Sequence, residues 1–342
     1  MIAIHHSNKT DTRDSFSSRW ILYCESRKLS FILVDCYDNK ILEKLRGVSV
    51  LLWHAYLRDN GSFLFATNLI RAIEKLGIKC YPNLPTYITY DNKIAQKYLF
   101  EALDIPHIPT QIYYDKNSAL TAVKSAEYPF IFKLSSGAGS NNVIMVKDLR
   151  HAEKLVEKVF GKGMPSINRR AIINDRLKLL KQRRSLNNLW SLLGSIARLI
   201  FPSKLEKSSP RISGYFYMQK FLENNKWDTR LIVIGNKCFA VRRNCREGDF
   251  RASGSGNPSY NIDNFPNEMI KIAFLCAKKL AMQSVAFDLI KDNDQYVIIE
   301  ISYCFVLGDF YDDCHGFWTE NLEFHKQKVD PQKFIIEDLI GS

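Results

Sequence analysis

The sequence has no apolar run long enough to cross a bilayer, and residues 1–18 are polar, without the apolar centre of a secretory leader. A helical membrane-spanning protein and a secreted one are therefore not expected. Its eight cysteines are scattered without CxxC spacing, which argues against a zinc ribbon or a disulfide framework and for a reducing cytoplasm. The seven histidines include no HExxH pair. There is no internal repeat. No RRM, KH, zinc-finger or helix-turn-helix signature accompanies the basic pI of about 9.2, so nucleic acid is not an expected partner. Acidic residues are scarce in one region only. Residues 161–211 hold twelve Lys and Arg against Asp175 and Glu206, a local balance of +10 within the net +12 of the chain.

At 342 residues and 46% hydrophobic composition, the chain can bury two or three cores. Residues 1–88 read as a small α/β domain, with FILVDCY and VSVLLWHAY as strands. FLFATNLIRAIEKLG follows as a helix closed by Gly77, and then IKCYPN. His54, after Trp53 in the second strand, suits a strand end or a substrate contact.

Late in the chain, SVAFDLI and YVIIEIS are apolar strand-like runs that each carry one carboxylate, Asp288 and Glu300. Buried strands rarely hold carboxylates without a balancing charge. A five-residue loop KDNDQ would set Asp288 opposite Ile298 and Glu300 opposite Ala286, which puts both carboxylates on one sheet face. That arrangement suits magnesium, which takes one or two protein carboxylates plus substrate phosphates.

A phosphate cradle is offered by YPFIFKLSSGAGSNNVIMV at residues 128–146, read as strand, glycine-serine loop and strand. Lys133 ends the first strand, and the small residues after it let backbone N–H groups approach a polyphosphate. It is not a Walker A loop, because no Gly-Lys-Ser/Thr follows. A plain hairpin would use the same residues. Upstream, Lys93 opens an amphipathic helix expected to be capped by Asp91, with Ile94, Tyr98, Leu99 and Ala102 on one side. Downstream, a buried strand ends at Gln219, Lys220, Phe221 and Leu222, and a hairpin runs through Asp228 and Arg230. EGDFRASGSGNPSY, a helix over residues 267–282 and the two carboxylate strands complete the order.

This order of motifs, over residues 80–302, resembles the ATP-grasp superfamily. The resemblance implies an α/β (α+β) ATP-grasp fold, two α+β subdomains clasping ATP behind a small N-terminal α/β domain. The expected boundaries are 1–88, 89–217 and 218–342. It implies that Lys93 and Lys133 contact phosphates under a loop that includes Ser136, Gly137 and Gly139. The backbone of Gln219, Lys220, Phe221 and Leu222 would hold adenine, with Asp228 also on the nucleotide. Mg²⁺, or Mn²⁺ in its place, would sit on Asp288 and Glu300. Ser302 stands where the family usually has an Asn ligand.

A narrower resemblance lies in FRASGSG at residues 250–256, in EIS and in DDCHGFWTENLEFH at residues 312–325. These look like a RimK-like ATP-grasp branch associated with bacterial surface-polysaccharide clusters. It implies a carboxylate–amine ligase working through an acylphosphate on a sugar acid or a lipid-linked sugar carboxylate. A peptide or amino-acid ligase, or an ATP-binding scaffold without turnover, are the alternatives. Such chemistry needs cations more than a general base. Arg251, Arg230 and Arg243 are the catalytic candidates, with Ser253, Gly254 and Ser255 toward substrate. Finally, NDRLKLLKQRRSLNNLWSLLGSIARLIFPSK reads as one helix with a basic first half, ended by Pro202. Its apolar face runs through Leu186, Leu189, Trp190, Leu193, Ile196, Ala197 and Ile200. The segment over residues 176–201 suits contact with an anionic membrane surface, a lid on its own domain or a partner. The expected location is the cytoplasm, at the inner face of a membrane if that contact is made.

Overall fold

The computed structural model describes residues 1–6, 15–56, 62–135, 142–182, 185–201, 211–223, 225–245, 251–252, 257–305 and 311–341. The chain divides into two compact units. One comprises Met1–Tyr90, Ala95–His107 and Asn225–Ser342; the other comprises Asp91–Ile94 and Ile108–Asn224. The division therefore differs from three consecutive segments cut at residues 88 and 217. Residues 1–90 share one apolar core with the C-terminal third. Gln283 stitches the two stretches by donating to Cys80 O (2.9 Å) and accepting from the Asn83 N–H (2.7 Å).

The first unit opens with β1 (Ile2–His5), β2 (Phe31–Val34), β3 (Val50–Leu52) and β4 (Lys79–Tyr81), a parallel sheet in the order β2-β1-β3-β4. β1 and β3 are buried along their whole length, as expected of apolar strands covered on both faces. The helix Ser62–Lys75 ends as its sequence predicts, with Gly77 at φ +75°. Among the elements with no counterpart in the sequence reading are β1 itself and the helix Phe16–Ser26. That helix starts in a capping box between Ser15 and Ser18 and buries Phe16, Trp20 and Cys24.

The second unit contains β5 (Thr110–Tyr113), β6 (Phe130–Phe132), β7 (Ile144–Val146), β8 (Met164–Pro165), β9 (Arg211–Ile212) and β10 (Phe216–Lys220). Its main sheet runs β5-β10-β6-β7, packed over a small core that includes Phe132, Val146, Val156 and Phe216. The basic region is not one helix but two, Arg169–Gln182 and Leu186–Ile200. Ser185 caps the second by accepting from the Asn188 N–H. A hydroxyl that satisfies a first-turn amide favours a fresh helix start over continuation.

The chain returns to the first unit with β11 (Trp227–Ile234), β12 (Lys237–Asn244), β13 (Pro258–Ser259), β14 (Ser284–Asp292), β15 (Gln295–Ser302), β16 (Phe317–Thr319) and β17 (Phe324–His325). Their order is β15-β14-β11-β12-β16-β17, with β13 on β12. The helix expected over 267–282 spans Asn267–Lys279. β14 and β15 turn through Asn293 and Asp294, with Asn293 in the left-handed region at φ +53°. The loop is therefore two residues, not five, and the register shifts between Asp288 and Leu289, leaving Ile299 unopposed. Asp288 faces Glu300 directly, and Ala286 faces Ser302, in place of the pairs expected from a longer loop.

The β11–β12 hairpin turns at Gly235, φ +52°, where an added Cβ would run into the Asp338 carboxylate. Gly235→Ala should lower unfolding stability by about 1–3 kcal/mol, read by urea denaturation, because strain and a forced shift of Asp338 add. An unchanged midpoint would show that the turn tolerates a side chain.

Candidate functional site

Alternation along the central strands of the first unit gathers charge on one face. Asp228 and Arg230 are two apart on β11; Asp228 opposes Arg243 of β12, and Arg230 opposes Asp288 of β14. Asp288 opposes Glu300 of β15. Four charges close into two forks. Arg230 donates through Nε and Nη2 to the two Asp288 oxygens at 2.6 and 2.8 Å, and Arg243 to Asp228 at 2.6 Å through each of Nε and Nη2. Arg243 Nη2 also lies 2.9 Å from Asp288 Oδ2, which joins the forks. Arg230 reaches Tyr311 Oη at 3.4 Å. Asp228, Arg243 and Asp288 are all buried.

Burial pushes the Asp288 carboxyl up, but Arg230 and then Arg243 outweigh it and hold it well below the usual carboxylate range. Asp228 moves the other way. Its burial dominates, and the neighbouring Asp288 charge adds to it against the pull of Arg243. Burial lowers the Arg230 guanidinium, yet Asp288 more than compensates and raises it.

The donor chemistry on this face fits a hard divalent cation. Two carboxylates in register and the half-buried Ser302 lie side by side, and a carboxylate oxygen that accepts one hydrogen bond keeps a second lone pair. Ser302 is engaged locally: its Oγ donates to Cys304 O (2.9 Å) and accepts from the Cys304 N–H (3.2 Å). Among the described residues, no group of three or more His, Cys, Asp or Glu side chains is clustered to hold a metal. Arg230 and Arg243, expected as catalytic candidates, direct their forks at the carboxylates. Neither Tyr311 nor this pairing carries a sequence signal, since Arg230 and Asp288 lie 58 residues apart.

His54 is half-buried and packed against aromatic rings. Its ring stacks on Phe16 with centroids 3.8 Å apart, and Nε2 lies 3.1 Å from Cys304 Sγ. Burial pushes its pKa down from 6.5 to about 3, so the imidazole is neutral.

In the second unit, Lys93 and Lys133 are both buried, with 4% and 5% of their surface exposed. The Lys93 N–H donates to Ser135 O (2.9 Å), which ties the start of the helix Lys93–Ala102 to the segment after β6. The Ser135 N–H in turn donates to Tyr215 Oη (2.6 Å). Asp91 does not occupy the expected cap position. It stands at φ +49°, with Oδ1 3.9 Å from Lys93 Nζ. The buried side of that helix carries Lys93, Gln96 and Phe100, whereas Tyr98 and Ala102 are exposed. Asn142 closes the glycine-serine segment, buried at φ +62° and donating to Ser166 O (2.6 Å). Gln219 is buried and donates to Thr110 Oγ1 (3.1 Å), and the Lys220 N–H bonds Pro109 O (2.9 Å). β10 stops there, and Phe221 and Leu222 follow without regular structure. Ser136, Gly137, Gly139, Ser253, Gly254 and Ser255 lie outside the described residues, while Arg251 is half-buried.

Comparison with known families matches residues 204–310 to the RimK-like ATP-grasp domain. No curated protein matches the chain. Among solved structures, the biotin carboxylase domain of the Hydrogenobacter thermophilus 2-oxoglutarate carboxylase superposes with a TM-score of 0.59 at 14% identity, covering 100% of this chain and 70% of that one. The D-cycloserine synthetase DcsG gives 0.54 at 13% identity over 89% and 91% of the two chains. The D-alanine–D-alanine ligase of Bacillus anthracis gives 0.53 at 12% identity over 99% and 97%. The chain has the ATP-grasp fold.

Two stability tests follow from this geometry. Arg230→Met should cost about 3–5 kcal/mol by leaving Asp288 short of a buried partner, and adding Asp288→Leu should restore most of it in urea unfolding. A double variant no more stable than the single one would overturn that account. Because folded His54 stays neutral to about 3, the unfolded chain alone takes up its proton as pH falls below 6.5. Wild-type stability relative to His54→Phe should therefore be greatest above pH 6.5 and fall by about 1.4 kcal/mol per pH unit below it. A pH-independent difference would sink the assignment.

Proposed function

We propose that the chain is an ATP-dependent ligase that joins a carboxylate to an amine and releases ADP and phosphate. The observation that carries this reading is the in-register pair Asp288 and Glu300, on one sheet face beside two guanidinium groups, in a chain of ATP-grasp fold. The substrate carboxylate attacks the γ-phosphorus of ATP, forming a C–O–P acylphosphate and expelling ADP. The amine then attacks the acyl carbon and expels phosphate.

Both steps build negative charge on oxygen, so fixed cations are what the protein must supply. In this reading the buried Lys93 and Lys133 take phosphate oxygens. The backbone after Gln219, through Lys220, Phe221 and Leu222, takes the adenine edge. Asp288 and Glu300 hold magnesium, which when bound would supply charge neutralisation at the phosphates. Arg230 and Arg243 fix the orientation of Asp288, with Asp228 locking Arg243 in turn. Arg251 is assigned to the substrate carboxylate, and Ser253, Gly254 and Ser255 to the remainder of the substrate.

The substrate class follows the FRASGSG segment and the stretch at residues 312–325: a sugar acid, or a lipid-linked sugar carboxylate, used in the cytoplasm for surface-polysaccharide assembly. A second reading is favoured by two hydrogen-bonding observations. The Ser302 hydroxyl is tied to Cys304 in both directions, and both Asp288 oxygens already accept guanidinium bonds, as suits a nucleotide-binding scaffold without turnover.

The test is magnesium-dependent release of ADP and phosphate while uronic acids, nucleotide sugars and amino acids are screened in pairs. A specific carboxylate and amine should be required, and Glu300→Gln should cut kcat by about 100-fold or more while remaining folded. AMP as product would overturn the acylphosphate route. Thermal stabilisation by ATP with no turnover for any pair, lipid-linked sugar carboxylates included in the screen, would establish the scaffold instead.

A further inference from the structure

The helix Leu186–Ile200 turns its apolar side outward. Leu186, Trp190 and Ile200 are 74%, 70% and 74% exposed, and Leu189, Leu193 and Ile196 lie exposed on the same side at spacings of three and four. Phe201, exposed as well, extends the row past the last turn. The opposite side is the anchored one. Leu192 and Ser195 are buried, the Ser195 hydroxyl donates to Leu192 O, and the Arg176 guanidinium of the preceding helix donates to Ser191 O. The outward row is therefore a fixed feature of the helix pair. Monomeric soluble proteins rarely leave an apolar row of this length uncovered.

Charge selects the occupant. The helix and Phe201 contain no acidic residue, and Arg198 and Lys181 are exposed. The surrounding residues 161–211 carry a balance of +10. A second copy of the same face would bring two such positive regions together. A nucleic acid would meet the positive charge but leave the leucines, isoleucines and tryptophan in water. An anionic lipid surface satisfies both, with basic groups at the headgroups and the apolar row among the upper acyl chains. The helix is about 22 Å long, too short to cross a bilayer, so it lies in the interface plane.

We infer that this helix docks the protein on an anionic phospholipid bilayer. The inference rests on the exposed row and its charge, and it stands apart from the ligase reading, since vesicle binding requires neither ATP nor turnover. The experiment is flotation of the full chain with vesicles of phosphatidylcholine alone, and of phosphatidylcholine with phosphatidylglycerol at about three to one. Binding is expected to the mixed vesicles only, and to fall about tenfold or more when salt rises from about 0.1 to about 0.5 M. Trp190→Ser combined with Leu193→Ser should lower binding about tenfold or more, with melting temperature and monomer mass unchanged. Lys181→Glu with Arg198→Glu should do the same without touching the apolar row, which keeps the test open if the first variant folds poorly. No flotation with the mixed vesicles would overturn the inference. So would full binding by both variants, or a concentration-dependent dimer that Trp190→Ser and Leu193→Ser abolish.

Discussion

The structure of the first unit turns on two bidentate arginine–carboxylate forks set into the face of one antiparallel sheet. Asp228, Arg230, Arg243 and Asp288 come from three strands, and the alternation of side chains lets them share a face. With both carboxylates ionised, the four charges sum to zero, the condition under which such a group tolerates burial. The cost of desolvation is recovered only if every fork keeps its geometry, so the cluster ties the register of β11 to both neighbours. Slippage of one residue on β14 would carry Asp288 to the opposite face and leave Arg230 without its partner.

That constraint also divides labour among residues that look alike in sequence. Lys93 and Lys133 are buried cations of the second unit, each close to the glycine-serine segment through Ser135 or the end of β6. Arg243, buried, and Arg230, half-buried, are cations of the first unit that commit Nε and Nη2 to carboxylates. Counting basic residues would treat the four as equals. Their hydrogen bonds do not.

The sequence made legible what periodicity and composition encode. Apolar runs bearing Asp288 and Glu300 indicated strands with a shared charged face, and that face exists, although a bulge at Ile299 and a two-residue turn at Asn293 produce it. Neither the bulge nor the turn alters the apolar pattern, so register was beyond reach. The split of the basic region at Ser185 had a local signal, a serine followed by a first turn, which the continuous helical periodicity on both sides masked. The helix Phe16–Ser26 was hidden because Trp20, Ile21, Leu22, Tyr23 and Cys24 form one unbroken apolar run rather than a stripe at helical spacing, although Trp20 is wholly buried. The arginine–aspartate forks join residues remote in sequence, and no spacing announces them.

The order in which the chain is made meets the discontinuity of the first unit. Met1–Tyr90 supplies a parallel sheet whose core is completed only by residues from Asn225 onward, while all of the second unit is synthesised in between. At about 5–20 residues per second, the early strands wait on the order of ten seconds for the residues that cover them. During that interval the apolar residues of β1 and β3 are without their native cover, and by its end the second unit has all of its sequence. The last-made part of the chain thus finishes the first-made part, and a ribosome that stops near residue 224 leaves one complete unit and one open sheet.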